Sequence, residues 1–139
     1  LASDGAIVVD RADGALCILV DDEAPLRRAC ARALTDVGFQ VVEAIDGEQA
    51  VRELDARGAA VKLLVSDVLL PGIGGEEVAA HAQRTIPDIA TVLISGYVDG
   101  KRETSIDPEQ ILWKPFPLGL LARRALEAVK ARATTTPRA

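Results

Sequence analysis

The 139 residues fall within the size of a single domain, and with 49% of them apolar they can fill one core, so two domains are not expected. A formal charge of −5 argues against a nucleic-acid surface, which needs clustered Lys and Arg to displace phosphate counterions. No apolar run approaches the ~18 to 20 residues that cross a bilayer, and the first residues do not resemble a signal peptide, so a cytoplasmic protein without direct nucleic-acid or membrane contact is expected.

Residues 1–15 are small, acidic and turn-prone, and read as a linker or N-terminal arm, in which Ile7, Val8 and Val9 could add an edge strand. Beyond them, short apolar runs alternate with longer segments of helical period, the signature of an α/β parallel sheet. The first strand, Leu16 to Val20, leads into a helix from about Pro25 to Val37, with Leu26, Cys30, Ala33, Leu34 and Val37 at helical spacing and Gly38 just past its end. Gln40 to Ala44 is the second strand. Asp46 then caps a helix to about Arg57, with Gln49 placed to complete a capping box and Gly58 closing it. Cys17 and Cys30 lie in these apolar stretches without zinc-site spacing and are expected to be buried free thiols.

Lys62 to Ser66 is the third strand, bounded by Asp67 and a loop from Pro71 to Gly75; a third helix follows with Val78, Ala79 and Ala82 inward, and Pro87 prevents its continuation. Thr91 to Ser95 and Gln110 to Lys114 are the fourth and fifth strands. Between them, residues 98–109 are mostly polar and hold Gly100 and Pro108, so a fourth helix there is expected to be short or disordered. The last helix runs from about Pro117 to Arg132 with Leu118, Leu121, Ala122, Ala125 and Val129 inward, and residues 134–139 form a polar tail expected to be disordered. The folded unit is therefore residues 16–133.

In an open parallel sheet, ligands bind beyond the carboxyl ends of the strands. Those ends carry Asp21 and Asp22 after the first strand, Asp67 after the third, Ser95 closing the fourth and Lys114 closing the fifth. Carboxylates brought this close repel, and the arrangement makes best sense around a divalent cation; oxygen ligands with open positions suit Mg²⁺. Lys114 as a point charge and Ser95 as a donor can stabilise charge on a phosphoryl group, and Asp67 is the natural nucleophile, giving a short-lived acyl phosphate.

The segments Leu-Val-Asp21-Asp22-Glu, Ser-Asp67-Val-Leu-Leu-Pro71, Ile-Ser95-Gly-Tyr and Trp-Lys114-Pro115-Phe116 resemble, in order and spacing, the signature segments of response-regulator receiver domains of two-component signalling. The resemblance covers about residues 16–132. It implies a five-stranded doubly wound parallel sheet in the order 2-1-3-4-5, the flavodoxin-like arrangement. It further implies that Asp22, Asp67 and the backbone carbonyl of Leu69 ligate Mg²⁺ directly, that Asp21 acts through water, and that the Lys114–Pro115 bond is cis. A sensor histidine kinase or phosphotransfer protein is the implied partner and donor. The Leu-Leu-Pro-Gly loop and the Ser-Gly-Tyr-Val-Asp stretch look most like receivers attached to hybrid sensor histidine kinases. On this reading the only chemistry is self-phosphorylation from a phosphodonor and self-dephosphorylation, with no turnover of an external substrate.

Two departures from the family stand out. Ile111 occupies a position, three before the lysine, that usually carries an aromatic residue whose rotation reports phosphorylation. The span from Ser95 to Lys114 is also short, which shrinks the helix many receivers use to dimerise, so a monomer is expected. Both leave open a pseudo-receiver that binds a partner without phosphorylation; a Mg²⁺-dependent phosphohydrolase or nuclease would need a substrate pocket and a second acid or base, and neither is visible. Leu69 and Tyr97 are expected to shape water access to the acyl phosphate. His81, among alanines on a helix, reads as structural or solvent-facing, and Trp113 and Phe116 as packing groups rather than a stacking platform.

Overall fold

The computed structural model describes residues 11–96 and 111–135. The proposed strand at Ile7–Val9, the short helix within residues 98–109, Tyr97 and residues 136–139 lie outside them; residues 134 and 135, expected in a disordered tail, instead continue the C-terminal helix.

Five parallel strands form one sheet in the order β2-β1-β3-β4-β5, with β1 Leu16–Val20, β2 Gln40–Ala44, β3 Val61–Asp67, β4 Ala90–Ser95 and β5 Ile111–Trp113. The helices are α1 Ala24–Asp36, α2 Gly47–Arg57, α3 Gly75–Thr85 and the C-terminal α4 Leu118–Thr135. Side chains alternate across each strand, so the sheet feeds two apolar layers. Ile18, Val20, Leu64 and Leu93 face Ala50 and Leu54 of α2 and Val78, Ala79 and Ala82 of α3. Cys17, Leu19, Leu63, Val65 and Ile94 face Cys30, Ala31 and Leu34 of α1 and Leu121 and Ala125 of α4. This is the α/β doubly wound order implied by the family resemblance.

Local signals set the helix ends with small differences from expectation. Asp46 Oδ1 accepts from the Gln49 N–H at 2.8 Å, the expected cap, but Gln49 Oε1 returns to the N–H of Ile45 at 2.8 Å, one residue before the cap. In α1 the buried stripe is Arg27, Cys30, Ala31 and Leu34, rotated from the expected one: Leu26, Ala33 and Val37 are only partly buried, and a charged residue takes the inner position. Helix α4 buries Leu121, Ala122 and Ala125 as expected, but Leu118 is 37% exposed rather than inward. Leu118 instead stands on the outer side between α4 and α1, while its neighbours Phe116 and Leu120 pack on the core layer.

Cys17 and Cys30 are buried free thiols. Burial pushes the Cys17 thiol well above its ordinary range; burial, reinforced by the charge of Asp21, pushes Cys30 up to about 11. Trp113 and Phe116 pack on the two apolar layers. His81 reaches across from α3 to Asp55 of α2 at 2.7 Å on the surface. Among the described residues no helix is long and apolar enough to cross a membrane.

Candidate functional site

The sheet order reverses direction of growth between β1 and β3: the chain leaves β1 for the edge strand β2, and leaves β3 for β4 on the other side. The two connections diverge and open a crevice above the carboxyl ends of these strands. β1 delivers Asp21 there, and the last residue of β3 is Asp67, held in register opposite Ile94 of β4. The ladder between β4 and β5 extends one residue further, since the N–H of Lys114 donates to the carbonyl of Ser95 at 2.8 Å. That rung sets the lysine beside the crevice. The Lys114–Pro115 peptide bond is cis.

One carboxylate oxygen from each of Asp21, Asp22 and Asp67 lies within 4.8 Å of the others. Lys114 Nζ donates to Asp67 Oδ2 at 2.6 Å and lies 3.6 Å from Glu23 Oε1 and 4.0 Å from Asp21 Oδ2. The other oxygen of Asp67, Oδ1, accepts from the backbone N–H of Leu69 at 3.0 Å, and Asp21 Oδ1 accepts from the N–H of Glu23 at 2.8 Å. Asp21 and Asp67 are buried, Asp22 is exposed, and the Leu69 side chain stands half-exposed beside the mouth. Ser95 is buried at the same edge, with its hydroxyl donating to the carbonyl of Gly96 at 3.0 Å. The structure thus brings Asp21, Asp22, Asp67 and Lys114 into one constellation, with Ser95 and Leu69 on its rim.

Close approach of the backbone makes this possible. The N–H of Gly75, at the start of α3, donates to the carbonyl of Val68 at 2.9 Å, and a Cβ at Gly75 would come within 2.0 Å of the Asp67 carbonyl oxygen. Only glycine lets α3 begin this near to the strand end that carries Asp67.

Electrostatics follow from burial. Desolvation raises the Asp21 carboxyl above its ordinary value; the Glu23 N–H and Lys114 pull it back, while the charges of Asp67 and Glu23 add to the rise. Desolvation alone would lower the Lys114 ammonium, but the hydrogen bond to Asp67 and the charges of Asp67, Asp21 and Glu23 outweigh it, and its net shift is upward. Among the described residues the Lys114 ammonium therefore faces three acidic groups, Asp67, Asp21 and Glu23, with Asp22 clustered beside two of them, an imbalance that a hard divalent cation with oxygen ligands fits. A groove of about 510 Å³ along β4 and α4, near Ala90, Arg124 and Ala128, shares no residue with this mouth.

Glu23 and Arg27 escaped the sequence reading. Glu23 contacts both Asp21 and Lys114. Arg27 packs beneath Asp21, donating to its carbonyl and to Glu43. A signal for Arg27 existed: positions 27, 30, 31 and 34 are spaced as one helical face, and three of them are Cys, Ala and Leu.

The model of the response regulator receiver domain matches residues 17–126, and the chain belongs to that family. Among curated proteins it is 32% identical over 124 residues to the sensor kinase CckA of Brucella abortus, a match covering 87% of this chain and 13% of that protein. It is 36% identical over 126 residues to the transcriptional regulatory protein TcrA of Mycobacterium tuberculosis, covering 88% of this chain and 48% of that protein. The chain thus spans half or less of the length of these two relatives. Among solved structures, a response regulator receiver protein from Sinorhizobium medicae is similar with a TM-score of 0.73 and 31% identity, covering 86% of this chain and 98% of that one. The receiver domain of the hybrid histidine kinase CckA is similar with a TM-score of 0.67 and 32% identity, covering 84% and 97%.

Proposed function

We propose that this receiver domain accepts a phosphoryl group on Asp67 from the phosphohistidine of a sensor histidine kinase or phosphotransfer protein, in a Mg²⁺-dependent reaction, and later loses it to water. The observation that carries the reading is the 2.6 Å contact of Lys114 with a buried Asp67 whose neighbours are Asp21 and Asp22. Similarity to the receiver of a hybrid histidine kinase supports a histidine-borne donor. The working unit is taken as residues 16–133, a cytoplasmic monomer.

Asp21, Asp22, Asp67 and the Leu69 carbonyl would hold Mg²⁺, which when bound neutralises charge on the acids and on the incoming phosphoryl oxygens. The Leu69 N–H holds Asp67 Oδ1 and Lys114 holds Oδ2, and the attacking oxygen is taken as Oδ2, where the ammonium already stands to meet the transferred charge. As the O–P bond forms, the P–N bond to the donor imidazole breaks with its electron pair staying on nitrogen, and that nitrogen takes a proton from solvent when needed. Esterification removes the negative charge that Oδ2 offers Lys114, so the ammonium turns to the phosphoryl oxygens that now carry charge. Ser95 exchanges its bond to Gly96 for one to a phosphoryl oxygen. The Leu69 side chain narrows the approach of the water that ends the state.

Intact mass after incubation with phosphoramidate or acetyl phosphate and Mg²⁺ tests this. A single hydroxylamine-labile phosphoryl adduct, absent from Asp67→Asn, is expected. No adduct with either donor would favour a phosphorylation-independent binding module, and turnover of nucleotides or phosphomonoesters abolished by Asp22→Ala would favour a phosphohydrolase.

A further inference from the structure

Arg27 sits in the first half of α1 with a side chain only 10% exposed, on the stripe that otherwise presents Cys30, Ala31 and Leu34 to the core. Its guanidinium makes two bonds to two different elements. Nε donates to Glu43 Oε1 on the edge strand β2 at 2.8 Å, and Nη1 donates to the backbone carbonyl of Asp21 at 3.0 Å. A role in packing alone at this position would be met by an apolar side chain, which carries no desolvation cost. What guanidinium adds is a planar fork able to hold two acceptors in a set geometry.

The carbonyl it holds belongs to the peptide bond between Asp21 and Asp22. A peptide unit is planar, so restraining that oxygen restrains the plane from which the Asp22 backbone departs. The Asp21 residue is held from its other side as well, since its N–H donates to the carbonyl of Ala44 on β2 at 3.2 Å. Its side chain is held by the Glu23 N–H at 2.8 Å. Helix α1 closes the frame, because the N–H of Arg27 donates to the carbonyl of Glu23 at 2.9 Å. Asp22, by contrast, is exposed, and its backbone departs from that restrained plane.

We propose that Arg27, braced by Glu43, is a positioning residue that sets the Asp21–Asp22 peptide plane and thereby aims the two carboxylates at a shared divalent cation. This rests on the phosphoryl-acceptor reading above and adds to it a residue that touches neither cation nor phosphoryl group. Groups that orient ligands from behind act on affinity as strongly as on rate.

The test is Mg²⁺ affinity by isothermal titration calorimetry, alongside thermal melts in EDTA, for wild type, Arg27→Lys, Arg27→Met and Glu43→Gln. Affinity is expected to fall about tenfold or more in Arg27→Met and by a smaller factor in Arg27→Lys, which keeps the charge but loses the fork. Glu43→Gln, which keeps an acceptor for Nε, is expected to fall least. A structural role alone would lower the melting temperature and leave the Mg²⁺ affinity of the folded variants unchanged, and that result overturns the proposal. Should Arg27→Met fail to fold, Arg27→Lys decides, since unaltered affinity there overturns it equally. A wild type that binds no Mg²⁺ removes the acceptor reading together with this one; a wild type that binds Mg²⁺ and is phosphorylated, with Arg27 variants equal to it in affinity, removes only this one.

Discussion

Among the described residues, polar side-chain pairs occur in two settings. At the carboxyl edge of the sheet, Lys114 meets Asp67 at 2.6 Å with side chains 25% and 7% exposed, and Arg27 meets Glu43 at 2.8 Å with Arg27 10% exposed. On the helical surface, Arg57 meets Glu53 at 2.8 Å and His81 meets Asp55 at 2.7 Å, while Arg32 and Asp36 are 3.8 Å apart and largely solvated. Distance hardly separates the two groups; what separates them is that each pair at the sheet edge has one partner no more than 10% exposed and no pair on the helical surface does. Water screens the surface pairs and competes for their partners, so each is worth little. At the mouth the charges are desolvated and mutually dependent, so removing one leaves the others uncompensated. The same pairing chemistry stands in water in one place and beside a partly desolvated cluster of acids in the other.

The largest expected break of this contrast is Lys114→Met. It leaves the buried Asp67 and Asp21 without their cation and removes the charge that stabilises the transferring group, so the rate of adduct formation from phosphoramidate should fall about 100-fold or more in intact-mass time courses. A rate within a few-fold of wild type would place the lysine outside the chemistry.

Next comes the backbone frame beneath the mouth. Gly75→Ala forces a methyl against the Asp67 carbonyl and should cost about 1–3 kcal/mol in urea unfolding, with slower phosphorylation as α3 is pushed from the strand end. Unchanged values on both counts would mean that the loop relaxes freely.

A third test concerns buried titration without ion pairing. The Cys30 thiol is raised by burial to about 11, above the ~8.5 of an exposed thiol. The folded form therefore holds its proton where the unfolded form releases it; this contribution is complete below the unfolded value and lost as pH climbs from there toward 11. Urea melts at pH 8 and pH 10 should show a smaller loss of stability in Cys30→Ala than in wild type. Equal losses would show that this thiol does not drive the alkaline decline.

The smallest effect belongs to the surface. Asp55→Asn removes the carboxylate charge beside His81 while keeping an acceptor oxygen, and should change stability by less than about 1 kcal/mol, a difference that shrinks further in added salt. A larger, salt-resistant cost would erase the distinction between the two settings.

Much of this was legible in the residues. Short apolar runs and helical periods located the five strands and four α-helices to within a few residues, though not the short 3-10 turn Gly58–Ala60, and strand-end positions pointed to Asp21, Asp22, Asp67, Ser95 and Lys114. Arg27 was less legible because a hydrophobicity pattern treats a charge as outward-facing, whereas a guanidinium goes inward when acceptors on neighbouring strands await it. Leu118 erred in the opposite sense: it fits the helical period, yet it stays 37% exposed while Phe116 and Leu120 take the places on the core layer. Glu23 gave no signal, since its part depends on where Lys114, far along the chain, comes to rest.

What the linear chain determined by itself was the alternation of strands and helices and the identity of the residues at the strand ends, because both are governed by short-range periodicity and by turn chemistry. Only the tertiary structure decided which of those residues share one mouth, which oxygen of Asp67 meets Lys114 and which meets Leu69, and that Arg27 supports the acids from beneath. Those outcomes depend on strand order, register and the exclusion of water, which arise only when segments distant in sequence pack together.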